Sequence, residues 1–233
     1  MDEITPTMTT RTEMVLGKSG VERLKNAHVL IVGLGGVGSY ALEGIARAGV
    51  GKLTLVDHDT VDITNLNRQL CARRSTLGRY KTDICREHVL DINPDCGVRT
   101  LTVFYNADTR AEVFRERPDF VLDCIDSVTA KLDLILTAQE LGLPILSALG
   151  TGRKLDPSRL RLGDIYETEG DALARVMRYE LRKRGVERLR VVCSTELPVG
   201  EAHDRTPGSV AWVPGCAGLM MAGECVRILA NVS

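Results

Sequence analysis

The stretch Gly33-Leu34-Gly35-Gly36-Val37-Gly38 has the spacing G-x-G-x-x-G, and the chemistry of that spacing is phosphate binding. Glycines let the backbone turn tightly and approach phosphate oxygens closely. A helix starting there offers free amides and the positive end of its dipole. Asp57 follows about 20 residues on, the usual place for a carboxylate that accepts both ribose hydroxyls. These features require a nucleotide without saying which. A polar cluster narrows the choice: Asp59, Asn65, Arg68 and Gln69, with Lys81 further on. Arg68 and Lys81 supply two positive charges for a polyphosphate undergoing displacement, where stabilising developing charge dominates catalysis. Asp126, after an apolar run, can hold Mg²⁺ through one or two direct contacts and waters. A dehydrogenase needs only an adenosine pocket here and a hydride-transfer site later. The cluster favours ATP with Mg²⁺ over a nicotinamide cofactor.

Strands and helices in alternation must position these residues. His28 to Val32 is a short apolar run of the kind buried in a parallel sheet, and it ends in the glycine loop. Ser39 to Ala48 has helical periodicity and stops at Gly49; Lys52 to Val56 is a second buried strand. Helices are expected over Glu13–Lys25 (broken around Gly17 to Gly20), Tyr80–Leu90, Ala107–Glu116 and Lys131–Leu141. Strands are expected over Val98–Phe104, Phe120–Ile125 and Pro144–Ser147, with a late strand at Val210–Val213 and a closing helix at Ala217–Leu229. Such alternation predicts an α/β fold, a doubly wound, Rossmann-like, mostly parallel sheet with helices on both faces. One domain over 1–233 is expected, with a nucleotide-binding core at 11–150, a basic, loop-rich substrate-facing segment at 151–207, and a closing strand and helix at 208–233.

Composition sets the outer bounds. The 233 residues are 44% hydrophobic and 26% charged, ordinary for a globular chain, and the net charge of −1 provides no global field for nucleic acid. The first ten residues hold Asp2, Glu3 and several threonines, so no leader is expected. The longest apolar run, Gly215 to Ala230, is interrupted by Glu224 and Arg227, and no membrane partner is expected. The seven cysteines are unpatterned and include no C-x-x-C pair, which fits a reducing, cytoplasmic setting and gives zinc no scaffold. The histidines (28, 58, 88 and 203) form no metal motif.

The run GLGGVGSYALEGIARAGVGKLTLVDHDTVDITNLNRQ resembles the ubiquitin-activating-type adenylation superfamily, which includes the activating enzymes of thiamine and molybdopterin synthesis. The joint pattern of double glycine, D-x-D, N-x-x-R-Q and a later lysine is more specific than the glycine motif alone. The resemblance, which spans nearly the whole chain from Arg11, implies that Gly33, Gly35, Gly36 and Gly38 form the phosphate loop and that Asp57 binds ribose. It implies that Asn65, Arg68 and Lys81 contact the triphosphate and that Asp126 holds the metal. Arg11, in RTEMVLG, matches an arginine that reaches the ATP of the opposite protomer, which implies a homodimer.

Sulfur-carrier activators of that superfamily usually carry two C-x-x-C pairs, and this chain has none. The motifs IDSVTAK, LGTGRKLDP, LARVMRYELRKRG, CSTELP and VPGCAGLMMAGE are instead similar to the tRNA threonylcarbamoyladenosine dehydratase branch. That likeness implies adenylation of a threonine carboxylate on a modified adenosine beside the anticodon, then ring closure within the same side chain. It leaves open a sulfur-relay protein and a monovalent cation (K⁺ or Na⁺). A carrier-activating adenylyltransferase and, more remotely, a nicotinamide-dependent oxidoreductase stand as alternatives.

A basic stretch fits an RNA substrate. Arg175, Arg178, Arg182, Lys183 and Arg184 crowd one segment, with 175, 178 and 182 on one helical face, and Tyr179 is the aromatic residue there. Cys193 is expected in a loop after a strand, where a chemical role is conceivable. Cys124 is expected inside a buried strand, and Cys216 and Cys225 are read as packing residues.

Overall fold

The structure is a computed structural model that describes residues 6–200 and 207–232; His203 lies outside them. Helix α1 (Thr10–Asn26) kinks at Gly17, within the expected break, and leads into β1 (His28–Val32), all five residues of which are buried. There follow α2 (Gly38–Arg47), β2 (Lys52–Val56), α3 (Lys81–Ile92), β3 (Gly97–Leu101), a single turn α4 (Arg110–Val113) and β4 (Phe120–Asp123). The chain continues through α5 (Val128–Glu140), β5 (Ile145–Ala148), β6 (Leu160–Asp164), α6 (Ala172–Lys183), β7 (Arg190–Ser194) and α7 (Trp212–Ala230).

The seven strands form one sheet in the order β3-β2-β1-β4-β5-β7-β6. All neighbours run parallel except β6 and β7. Successive residues of β1 serve opposite faces. Val29 and Ile31 join Leu42 and Ile45 of α2 and Val213 and Met221 of α7, whereas Leu30 and Val32 join Ala130 and Leu134 of α5. Each fully buried aliphatic side chain contributes roughly 1.5–3 kcal/mol, so both layers are anchored by their own apolar stripe. The doubly wound expectation therefore holds. Strand order reverses between β1 and β4, and at such a switch point the carboxyl ends of the strands open a crevice.

Several expected boundaries move, each for a local reason. The helix expected over Ala107–Glu116 shrinks to α4, because the Asn106 side chain accepts the amides of Asp108 (2.9 Å) and Thr109 (3.0 Å) and builds a turn instead. The strand expected to reach Ile125 stops at Asp123, whose carboxylate accepts the Ile125 amide at 3.2 Å and bends the chain. The strand expected to reach Phe104 ends at Leu101. No strand forms over Val210–Val213, since α7 begins at Trp212. The segment after residue 150 is richer in regular structure than expected, holding β6, α6 and β7. Helix α7 is long and apolar enough to cross a membrane, yet it packs against α1 and α2, and its buried Glu224 pairs with Arg190 (2.6 Å) and Arg227 (3.1 Å).

Candidate active site

A cavity of about 620 Å³ opens at the carboxyl ends of the paired strands β1 and β4, where the strand order reverses. Gly33, Gly35, Gly36, Asp57, Asp59, Asn65, Arg68, Gln69, Lys81 and Asp126 all line it. Residues separated by up to 93 positions in sequence thus share one wall system. Gly38 and Arg11 do not line the cavity of this chain: Arg11 is exposed on α1, and Gly38 is buried beneath the loop.

The loop geometry explains its glycines. Gly33 sits at φ +92°, where a Cβ would also stand 2.7 Å from the Cys124 carbonyl oxygen. A Cβ on Gly38 would overlap the carbonyl oxygen of Gly33. The loop is therefore closed against itself and against the end of β4, which leaves its open side to the cavity. Asp57 fastens the loop from the other side. Its Oδ2 accepts the Leu34 amide at 2.7 Å, and its Oδ1 accepts the Asp59 amide at 2.8 Å. This clamp was not legible in the motif, where Asp57 stood only as a ribose ligand.

The cationic side chains are held in place by local acceptors. Lys81 opens α3 and is 4% exposed; its Nζ lies 2.7 Å from Asp59 Oδ2. His58 Nε2 stands 3.2 Å from the other Asp59 oxygen. Arg68 donates to the Thr64 carbonyl (2.8 Å) and to Asn67 Oδ1 (2.9 Å). Asn65 accepts the Asp62 amide at 3.1 Å, so it also builds the turn that carries Arg68. Gln69 is buried in the cavity wall, and its Oε1 has no partner among the described residues.

Beneath this wall lies a polar group that the sequence reading missed. Asp123 and Lys131 are both fully buried, with Nζ 2.7 Å from Oδ2. Ser147 Oγ donates to the same oxygen at 2.7 Å, and Lys131 also donates to the Ala148 carbonyl at 2.9 Å. The group ties the ends of β4 and β5 together below Asp126 and Gly150, which both line the cavity. Its signal was an acid inside an apolar strand with a lysine eight residues later, too common a pattern to act on alone.

Two cysteine expectations are corrected. Cys193 lies inside β7 and is buried, and burial raises its thiol pKa above the usual range, which suits packing rather than chemistry. Cys124 lies just past β4 and lines the cavity; burial, then the neighbouring Asp123 carboxylate, pushes its thiol up to about 12. All seven cysteines are free.

The basic residues lie along α6. Arg178 donates to the Thr168 carbonyl at 2.7 Å, Arg184 pairs with Glu180, and the Arg182 guanidinium stacks 4.8 Å over the Tyr166 ring.

Residues 9–233 match the model of the ThiF family. The chain belongs to the ThiF family. Within that family it is similar to the tRNA threonylcarbamoyladenosine dehydratase of Bacillus subtilis, at 41% identity covering 94% of this chain and 93% of the relative. The Escherichia coli dehydratase of the same name is 35% identical over 84% of this chain and 76% of its own length. The crystal structure of the E. coli enzyme in complex with ATP superposes with a TM-score of 0.88 at 30% identity, covering 95% of this chain and 93% of that one. A yeast adenylyltransferase and sulfurtransferase of the kind named UBA4 is 37% identical over 58% of this chain, which spans 31% of that protein. Of these relatives, the B. subtilis and E. coli dehydratases are covered over most of their length and the yeast adenylyltransferase over less than a third.

Proposed function

We propose that this ThiF-family protein uses ATP to adenylate the threonine carboxylate of threonylcarbamoyladenosine in tRNA, beside the anticodon, and that the activated carboxyl then closes a ring. The observation that carries the reading is the convergence of the glycine loop, Asp57, Arg68, Lys81 and Asp126 on one cavity at the switch point of the sheet.

The chemistry follows from charge. A carboxylate is a poor electrophile until one of its oxygens is bonded to AMP, a good leaving group. That oxygen attacks the α-phosphate, pyrophosphate departs, and negative charge builds where Arg68 and Lys81 can meet it. In the second step an atom of the same side chain displaces AMP. The carboxylate oxygen leaves on AMP, so the nucleoside becomes lighter by one water. Proximity within one nucleoside drives this closure without a protein nucleophile, in keeping with the buried state of Cys193. Gly33, Gly35 and Gly36 cradle phosphates where side chains would fill the space, Gly38 keeps that loop closed from behind, and Asp57 takes the ribose hydroxyls. Asn65 and Gln69 complete the polar wall, and Asp59 holds Lys81 until phosphate arrives. Asp126, an exposed carboxylate in the cavity, has the hard oxygen donors that Mg²⁺ prefers, and the ion would neutralise phosphate charge there. Arg11 completes the site from a second copy of the chain, so the working unit is a homodimer. Arg175, Arg178, Arg182, Lys183 and Arg184 form the RNA-facing stretch, and the seven free thiols fit a cytoplasmic setting.

The test is to incubate the protein with ATP, Mg²⁺ and tRNA carrying threonylcarbamoyladenosine, and to weigh the nucleosides by mass spectrometry. Loss of one water with formation of AMP, abolished in Arg68→Ala, is expected. An unchanged nucleoside from folded protein overturns the reading, and pyrophosphate exchange with a carrier protein ending in Gly-Gly would then favour the sulfur-carrier alternative. Mixing inactive Arg11→Ala with inactive Arg68→Ala protein tests the second copy. Activity is restored only if Arg11 acts across a dimer.

A further inference from the structure

Helix α6 presents two different faces. Ala174, Met177 and Leu181 are buried against the core, whereas Arg175, Val176, Tyr179 and Lys183 are exposed. Residues 175, 179 and 183 are spaced by four, so they form one stripe along the helix. Tyr179 is 66% exposed, an unusual state for a ring at the centre of a cationic stripe, and Val176 beside it is 41% exposed. Together with Arg178 and Arg182, these three stripe residues line a concave surface of about 350 Å³.

The basic residues of this helix divide into two kinds. Arg178 is held by Thr168, Arg182 by the face of Tyr166, and Arg184 by Glu180. The contacts of Arg178 and Arg182 fix two walls of the concavity, and Arg184 lies outside it. Arg175 and Lys183 stand one turn before and one turn after Tyr179 and carry no ion pair among the described residues. The Tyr166 ring is already covered by Arg182, so the ring available for stacking on this face is Tyr179. Leu173, at the start of the same helix, lines the nucleotide cavity. Six residues of helix separate it from Tyr179, about 9 Å along the axis. That span is two to three stacked-base rises of about 3.4 Å.

We propose that Tyr179 is a base-stacking platform for a single-stranded nucleotide two to three positions from the reacting adenosine, with Arg175 and Lys183 meeting the phosphates on either side. An exposed ring flanked by cations is the arrangement by which proteins grip unpaired RNA, because every base has a π-face and the backbone supplies the negative charge. A duplex hides its bases and cannot use the ring. The site rests on the RNA-substrate reading above, and it assigns the contact to Arg175, Tyr179 and Lys183, leaving Arg178 and Arg182 to position the surface.

The test uses the full-length protein with Tyr179→Ala, Tyr179→Phe and an Arg175→Ala/Lys183→Ala pair. In the cyclisation assay Tyr179→Ala is expected to raise the KM for tRNA about tenfold, with kcat and the KM for ATP unchanged, while Tyr179→Phe stays near wild type. Removing the two cations should lower the salt dependence of RNA binding by about one unit of log-log slope each. A second readout is independent of catalysis: fluorescence anisotropy of a labelled single-stranded heptanucleotide against a duplex of equal length. Wild type is expected to prefer the single strand, and Tyr179→Ala to lose that preference. Equal KM in wild type and Tyr179→Ala, a Phe variant as weak as the Ala variant, or no single-strand preference would each overturn the platform. If wild type fails to cyclise at all, the substrate reading has failed instead, and the anisotropy comparison still decides the stacking site.

Discussion

Lys81→Met is expected to slow AMP formation by about 10²–10³-fold while leaving the protein folded. Lys81 is the first residue of α3, where the helix dipole disfavours a positive charge. The side chain is nearly buried, and the acid it touches is Asp59, 2.7 Å away. A lysine kept in so unfavourable a place, facing a cavity lined by a glycine loop, is positioned for an anion that arrives later. In the proposed reaction, removing it deletes a donor that would meet the leaving pyrophosphate, the kind of interaction that strengthens as charge develops. The structural cost is small. Asp59 is 49% exposed, so its orphaned carboxylate is solvated, and the lost pair is worth on the order of 1 kcal/mol or less. The melting temperature should therefore fall by no more than about 2–4 °C. Single-turnover formation of AMP from ATP labelled on the α-phosphate reads the first effect, and a thermal melt reads the second. A rate close to wild type would remove Lys81 from the catalytic group.

Lys131→Met should do the reverse, acting on stability first. The ammonium and the Asp123 carboxylate are 0% exposed, and removing one partner leaves the other charge buried without compensation. Such a loss costs about 3–5 kcal/mol. For a chain of this size that corresponds to a fall in melting temperature of roughly 6–20 °C. The double variant Lys131→Met/Asp123→Asn should recover more than half of the loss, because no charge then remains to be neutralised and an acceptor still faces the Ile125 amide. Melting curves of the two single variants and the double variant test this directly. A Lys131→Met protein that melts with wild type would show that Asp123 is relieved by some other route. The double variant is also expected to be slower than wild type, since Lys131 joins the end of β4 to the Ala148 carbonyl and so sets the spacing of the cavity walls.

Much of the fold was legible along the chain. β1 and β2 appear with the expected boundaries, because each is a five-residue apolar-rich run closed by glycine or a charged turn, too short for a buried helix. The late segment was harder to read. β6 and β7 pair antiparallel at the sheet edge, and their exposed ends carry Arg161 and Arg190, so their sequences look like basic loop. The strand expected at Val210–Val213 failed for a related reason: four apolar-rich residues fit the first turn of a buried helix equally well.

The candidate site divides along the same line. Sequence alone grouped the glycine loop, Asp57, Arg68, Lys81 and Asp126, because the loop and Asp57 directly follow β1 and β2, Lys81 opens α3, and Arg68 and Asp126 lie in the connections that leave β2 and β4 at the same sheet edge. Tertiary structure decided the contacts made between distant parts of the chain. It gave Asp57 its second task of clamping the loop, joined Asp123 to Lys131 and Ser147, and buried Cys193 in a strand. It also separated the α6 arginines held by Thr168 and Tyr166 from the stripe left open to solvent. The physical reason is that charge and residue type are properties of position, whereas a partner is a property of folding. A carboxylate or guanidinium has the same sequence signature whether it faces water, a neighbouring amide or an opposite charge.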